Sequence, residues 1–237
     1  MISYSVPETP QQSSTASADC VAIVSGGMDS VTLLHYLVRT EHRRPAVISF
    51  RYGQKHVREL IDAAAQATLL GCSHHIFDLT PLGAAFSSSA LVSDRLAIPD
   101  AETVRGDPQP ATYVPNRNMI FLALAAAYAE SQQVADVFYG AQRHDLYGYW
   151  DTTTQFLERL NNVYELNRKT PIQIRAPFVT MSKADLLRIG LALGVDYAQT
   201  WSCYNGQDRA CGHCPTCAER LTAFAEVGIP DPLPYMT

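Results

Sequence analysis

Along the chain, short apolar runs of strand length alternate with longer stretches whose apolar residues recur every three or four positions. Cys20–Val24 is the first run and reads as a buried parallel strand, followed by a helical pattern over Val31–Arg39 with Asp29 or Ser30 available as its N-cap. Ala46–Phe50 is a second strand, and Val57–Leu70 a helix closed by Gly71 at C′. His74–Leu79 makes the third strand. Asn116–Glu130 predicts a strongly apolar helix buried on most of its faces, and Val134–Gly140 a fourth strand. Phe156–Leu166 reads as a helix opened by Asp151 or a following Thr, and Ile172–Ala176 as a fifth strand. Ser182-Lys183-Ala184-Asp185 has the form of a capping box ahead of a helix over Leu186–Leu193. Strands alternating with helices at this pitch predict an α/β fold, a Rossmann-like parallel sheet flanked by helices.

Three stretches break the alternation. Residues 1–18 are rich in Ser, Thr, Gln and Pro and read as a flexible N-terminal tail. Residues 80–115 are polar with no sustained period, and a loop of that length is usually functional or mobile. Cys203–Cys217 must be held together some other way. The expected organisation is a tail over 1–18, an α/β domain over 19–199 and a C-terminal segment over 200–237 packed on that domain.

Composition narrows the class. Hydrophobic residues make up 47% of the 237 and charged residues 17%, enough for a sizeable core. The net charge of −5 argues against a general nucleic-acid binder. No stretch approaches the roughly 18 consecutive apolar residues of a membrane span. The N-terminus lacks the basic and apolar regions of a signal peptide. The expected location is cytoplasmic, where the 6 cysteines serve as thiols or metal ligands rather than disulfides.

Val24-Ser25-Gly26-Gly27-Met28-Asp29-Ser30 follows the first strand. Two glycines leave the turn without Cβ obstruction, so backbone N–H groups can converge on a phosphate, helped by the Ser25 and Ser30 hydroxyls and the following helix N-terminus. Asp29 fits there as a partner of Mg²⁺ or of the helix N-terminus. A steric strand–helix turn is the competing reading. The loop is neither a Walker A nor a dinucleotide-binding turn. It resembles the PP-loop of the ATP-pyrophosphatase superfamily, which implies adenylation of a substrate oxygen with loss of pyrophosphate.

Cys203, Cys211, Cys214 and Cys217 give C-x7-C-x2-C-x2-C, a density suited to one tetrahedral structural Zn²⁺ with no open position for water. Free thiols or a redox pair are the alternatives. Cys20 and Cys72 read as ordinary small apolar residues. His213 is a spare candidate ligand or a surface residue.

Taken together, Thr200–Cys217 (TWSCYNGQDRACGHCPTC), Tyr52-Gly53-Gln54-Lys55-His56 and Tyr113-Val114-Pro115-Asn116-Arg117-Asn118 resemble signatures of the 7-cyano-7-deazaguanine synthase (QueC) family. The likeness runs from about Cys20 to Asp231. It implies an adenine nucleotide alpha hydrolase-like fold and a ligase that joins 7-carboxy-7-deazaguanine and ammonia at the expense of ATP, in queuosine biosynthesis. It further implies a homodimer, while the acidic net charge argues against direct contact to nucleic acid. On this reading Asp29, Arg117 and Lys183 are the catalytic candidates, and Val24–Ser30 bind ATP. Arg117 and Lys183 serve as cations that can offset charge on phosphates or, alternatively, as surface or helix-cap residues. Tyr52, His56, Arg143, His144, Asp145 and Asp151 contact the substrate, His56 alternatively opening its helix.

One segment departs from the family pattern. Where P-D-C-R-x-x-F is common, this chain has Trp150-Asp151-Thr152-Thr153-Thr154-Gln155-Phe156, so Thr occupies the Cys and Arg positions. Drift compensated by neighbours is one explanation. A relative that stops at the amide, or conjugates the deazaguanine to a macromolecule, is another. Independently of this segment, a PP-loop beside a Cys-rich element also fits a tRNA-modifying PP-loop sulfur-transfer protein. This third reading predicts a basic surface and a redox-active cysteine pair, and the net charge of −5 counts against it.

Overall fold

A computed structural model describes residues 17–55, 58–143, 149–205 and 208–236. The elements are β1 (Cys20–Ile23), α1 (Met28–Arg39), β2 (Pro45–Arg51), α2 (Arg58–Leu69), β3 (Ser73–Asp78), α3 (Arg117–Ser131), β4 (Asp136–Tyr139), α4 (Thr154–Tyr164), β5 (Gln173–Arg175), α5 (Lys183–Ala192) and α6 (Pro215–Val227). The strands form one parallel sheet in the order β3-β2-β1-β4-β5. This is the α/β class expected from the alternating pattern.

β1 is central because it is apolar at every position, and such a strand must be covered on both faces. Its side chains divide by the period of two. Val21 enters a core with Ile48, Val137, Leu122 and Leu160, under α3 and α4. Cys20, Ala22 and Val24 enter the opposite core with Leu33, Leu34, Leu37, Leu187 and Phe224, under α1, α5 and α6. Each fully buried leucine contributes on the order of 1.5–3 kcal/mol.

Several local expectations are met. Gly71 ends α2 in left-handed backbone at φ 67°, with Cys72 N–H on Ala67 O at 2.9 Å. Ser182 and Asp185 form the reciprocal capping box, which encloses the start of α5 at Lys183. Thr153 caps α4, accepting from Phe156 N–H at 3.1 Å.

Others are corrected. α1 begins at Met28 with Gly27 as N-cap, so neither Asp29 nor Ser30 caps it. Ser30 Oγ is instead engaged inside the loop, and Asp29 faces Lys183. α3 buries one stripe, Leu122, Ala125, Ala126 and Ala129, whereas Ala123 and Ala127 are exposed. Residues 80–115 are no correction to the functional alternative: they hold two short 3₁₀ turns, Thr80–Phe86 and Ala101–Val104, bury Phe86, Ala90 and Leu91, and bring Thr112, Tyr113 and Val114 to the cavity described below. α6 is an element that the strand–helix pattern does not announce.

Candidate active site

In an open parallel sheet, ligands bind beyond the carboxyl ends of the strands where the strand order reverses. Here that point lies between β1 and β4. A cavity of about 260 Å³ opens there, lined by residues 24, 25 and 27–30 of the glycine loop and by Gly140 after β4. The approach is tight: a Cβ on Gly140 would lie 3.2 Å from Ser30 N and Cα. A Cβ on Gly26, whose φ is 96°, would meet Glu59 O at 2.0 Å. Glycine at 26 is therefore required both by backbone conformation and by the passage of α2.

The loop is internally organised by two hydroxyls. Ser30 Oγ accepts from Ser25 N–H at 3.1 Å and Gly26 N–H at 3.3 Å, and Ser25 Oγ accepts from Gly27 N–H at 3.3 Å. Successive backbone N–H groups thus converge on one side of the turn, next to the N-terminus of α1. Such an array suits an anion.

Lys183, the first residue of α5, reaches the same cavity. Its Nζ lies 3.2 Å from Asp29 Oδ2 and 3.0 Å from Glu219 Oε2. Burial works against its charge, but Asp29 and Glu219 more than offset that and hold its pKa above the ordinary lysine value. Lys183 is a cation throughout the neutral range. Asp29 Oδ1 is buried and has no hydrogen-bond partner among the described residues.

Farther along, the wall is aromatic. Arg117 opens α3 and donates to Tyr52 O–H at 3.4 Å. The residue before it, Asn116, has φ 52°, left-handed backbone that Asn tolerates better than most residues. Asp151 is 4% exposed; burial raises its pKa, against the pull of Arg117 and a hydrogen bond from Asn118. Tyr139 is buried beside the cavity with no partner for its hydroxyl among the described residues. Tyr149 and Tyr204 line the cavity as well, and burial raises the pKa of both phenols.

The threonines that depart from the family pattern have local work. Thr152 lines the cavity and donates to Tyr149 O at 2.9 Å. Thr153, at the Arg position, is the N-cap of α4, a role in which Thr is strongly preferred and Arg is not. Trp150 Nε1–H donates to Tyr113 O–H at 3.0 Å and its ring packs edge-on against Phe156.

The cysteine cluster lies behind this wall. The Sγ atoms of Cys203, Cys211, Cys214 and Cys217 all fall within 4.8 Å of one another, and all four residues are buried. The edge of a tetrahedron with ~2.3 Å metal–sulfur bonds is about 3.8 Å, close to the separation here. Asn205 and Cys211 N–H groups point at Cys203 Sγ, and Cys214 N–H at Cys211 Sγ, at 3.3–3.4 Å. Donors aimed at sulfur favour thiolates, and four buried thiolates require a cation. The set can hold a metal. His213 is exposed and pairs with Asp100 instead. Cys20 is buried in the core and Cys72 packs against it.

Of the residues singled out by sequence, the structure brings Val24, Ser25, Gly27, Met28, Asp29, Ser30, Tyr52, Arg117, Asp151 and Lys183 to one cavity. Arg143 is exposed and does not line it; its N–H is bonded to Met181 O. His56, His144 and Asp145 lie outside the described residues. Glu219, Tyr139, Tyr149 and Tyr204 were not anticipated.

Residues 19–228 match the family model described as "Queuosine biosynthesis protein QueC". The 7-cyano-7-deazaguanine synthase of Marinobacter nauticus is 46% identical over 215 residues, covering 91% of this chain and 96% of its own. That of Chromohalobacter salexigens is 45% identical over 215 residues, covering 91% and 85%. Among solved structures, NMN synthetase from Francisella tularensis superposes with a TM-score of 0.50 at 14% identity, covering 91% of this chain and 79% of that one. The last is a likeness of fold. No helix among the described residues is long and apolar enough to cross a membrane.

Proposed function

The chain belongs to the QueC family of queuosine biosynthesis proteins, and we propose that it is the ATP-dependent ligase that converts 7-carboxy-7-deazaguanine and ammonia to 7-cyano-7-deazaguanine. The observation that carries this reading is a single cavity joining the Ser25–Ser30 loop and Lys183 to Arg117, Asp151 and the tyrosine wall.

In this reading the N–H groups of the loop hold the terminal phosphates of ATP, and Lys183 and Arg117 offset charge as it gathers on the α-phosphorus. A substrate carboxylate oxygen attacks that phosphorus, the bond to the β-phosphate breaks and pyrophosphate leaves. Ammonia then attacks the acyl carbon and expels AMP, giving the amide. A second ATP adenylates the amide oxygen. Loss of AMP and of the remaining nitrogen-bound protons leaves the nitrile. Mg²⁺, when bound, supplies charge neutralisation at the phosphates, and the Asp29 carboxylate with its unpartnered oxygen suits it.

Asp151 is assigned to the pyrimidine edge of the substrate, where ring N–H and exocyclic amine donors face a carboxylate. Asp151→Asn is expected to raise KM for the deazaguanine roughly 10- to 100-fold, the loss of charge-assisted hydrogen bonds, with KM for ATP little changed. Steady-state kinetics with each substrate varied in turn checks this; equal effects on both constants would refute the assignment.

Zn²⁺ is the proposed occupant of the cysteine cluster, in a structural role. Metal analysis is expected to give about one zinc per chain, and Cys211→Ser to lose roughly half or more of it and to lower Tm. Unchanged zinc content in that variant would exclude the cluster as the site.

The ligase itself is tested by incubating the protein with 7-carboxy-7-deazaguanine, ATP, Mg²⁺ and ammonium. AMP, pyrophosphate and the nitrile are expected by mass spectrometry. An amide as final product would identify the truncated reaction instead, and no AMP at any ammonium concentration would overturn the proposal.

A further inference from the structure

Glu219 belongs to none of the motifs that mark the site, yet its carboxylate reaches the cavity from α6. We infer that Glu219 is a positioning residue for the ATP-dependent step, holding the Lys183 ammonium beside the glycine loop and tying the cysteine cluster to the ATP site. The inference rests on the ligase reading above.

The argument begins with the flexibility of lysine. The capping box at Ser182 fixes the backbone of Lys183, but its stem leaves the ammonium free to swing. Two carboxylates from different helices remove that freedom. Asp29 comes from the first turn of α1 and Glu219 from the beginning of α6, with Nζ 3.2 and 3.0 Å from their oxygens. The lysine and Glu219 side chains are only 13% and 10% exposed, so water competes little for either. With Asp29 alone, the ammonium would form a simple ion pair with the residue that faces the phosphates, and would be drawn onto it.

The placement of Glu219 depends in turn on the cysteines. α6 has Cys214 as its N-cap, Pro215 as its first residue and Cys217 in its first turn, two residues before Glu219. Thr216 Oγ1 donates to Ser202 O at 2.6 Å, and the neighbouring Trp201 N–H donates to Gly26 O at 3.1 Å. The start of α6 is thereby connected to the glycine loop by one hydrogen-bonded route and to Lys183 by another. A module that looks purely structural sets the geometry of the ATP end.

Glu219→Gln tests this, because the amide keeps an acceptor for Lys183 Nζ and removes the charge; a contact that only supports the fold survives it. We expect kcat for AMP release to fall at least roughly tenfold, KM for ATP to stay within about threefold, and Tm and metal content to match wild type. Glu219→Asp, which keeps the charge on a shorter stem, should fall between the two in kcat. Turnover within about twofold of wild type in Glu219→Gln, or in Glu219→Asp should the first variant fail to fold, overturns the inference. So does a rise confined to KM. If the wild-type protein releases no AMP with carboxylate, ATP and ammonium, the ligase reading itself falls, and the inference with it.

Discussion

Lys183→Met is expected to lower AMP release by roughly 10²- to 10³-fold, the scale on which removal of a preorganised charge stabiliser acts. Methionine matches much of the stem and removes only the ammonium, so packing against the cavity is largely kept. What is lost is the one charge placed between Asp29 and Glu219, whose oxygens lie 3.2 and 3.0 Å from it. Those carboxylates then face each other without a cation, and Tm is expected to fall as well. The pH dependence has a definite sign. Because the folded pKa of Lys183 lies above its unfolded value, its contribution is complete below the ordinary lysine pKa and fades only as pH rises through the folded one. The ratio of wild-type to variant activity should therefore be the same at pH 7 and pH 9. A variant that keeps more than about a third of wild-type turnover would remove Lys183 from the chemistry.

Why Lys183 was legible in the sequence while Glu219 was not has a physical answer. The glycine loop and the four cysteines are local: a few residues at fixed spacing create the turn or wrap the metal, so the pattern alone carries the chemistry. Lys183 stands in a capping box at a helix start, which places it at a strand's carboxyl end. Glu219 lies in α6, a helix outside the strand–helix alternation whose own signals are Pro215 at its start and Gly228 after its end. Tyr149 and Tyr204 come to the cavity through long-range packing that no local period encodes. Arg143 carries a similar positional signal without standing among the residues that line the cavity. It follows β4 at the expected end of the sheet, but its N–H bonds Met181 O and its side chain is exposed outside the cavity. In sequence the threonines at 152 and 153 are a departure from the family pattern at its Cys and Arg positions. In space one lines the cavity and the other caps α4, so the departure at the Arg position is met by a helix-capping role.

The largest stability effect is expected at Asp231, which is not among the residues lining the cavity. Arg220 and Asp231 form a salt bridge through Nε and Oδ2 at 2.7 Å, with both side chains 1% exposed. A second guanidinium nitrogen reaches Asp231 Oδ1 at 2.9 Å, and further donors go to Thr200 Oγ1 and Tyr197 O. Asp231 also accepts from Leu233 N–H and Tyr235 O–H, and so fixes the tail that pairs with Ala210 beside Cys211. Asp231→Ala leaves a buried, uncompensated guanidinium. The expected cost is about 3–5 kcal/mol, a fall in Tm of roughly 10 °C for a chain of this size. The charge itself is the cause, and a second variant separates it from lost packing. Arg220→Met with Asp231→Leu removes both charges, and buried ion pairs replaced by apolar residues are often neutral or better. The double variant should therefore recover much of the loss despite carrying more substitutions. If it is less stable than Asp231→Ala alone, the network acts through its hydrogen bonds to Tyr197, Thr200 and Tyr235, and the electrostatic account fails.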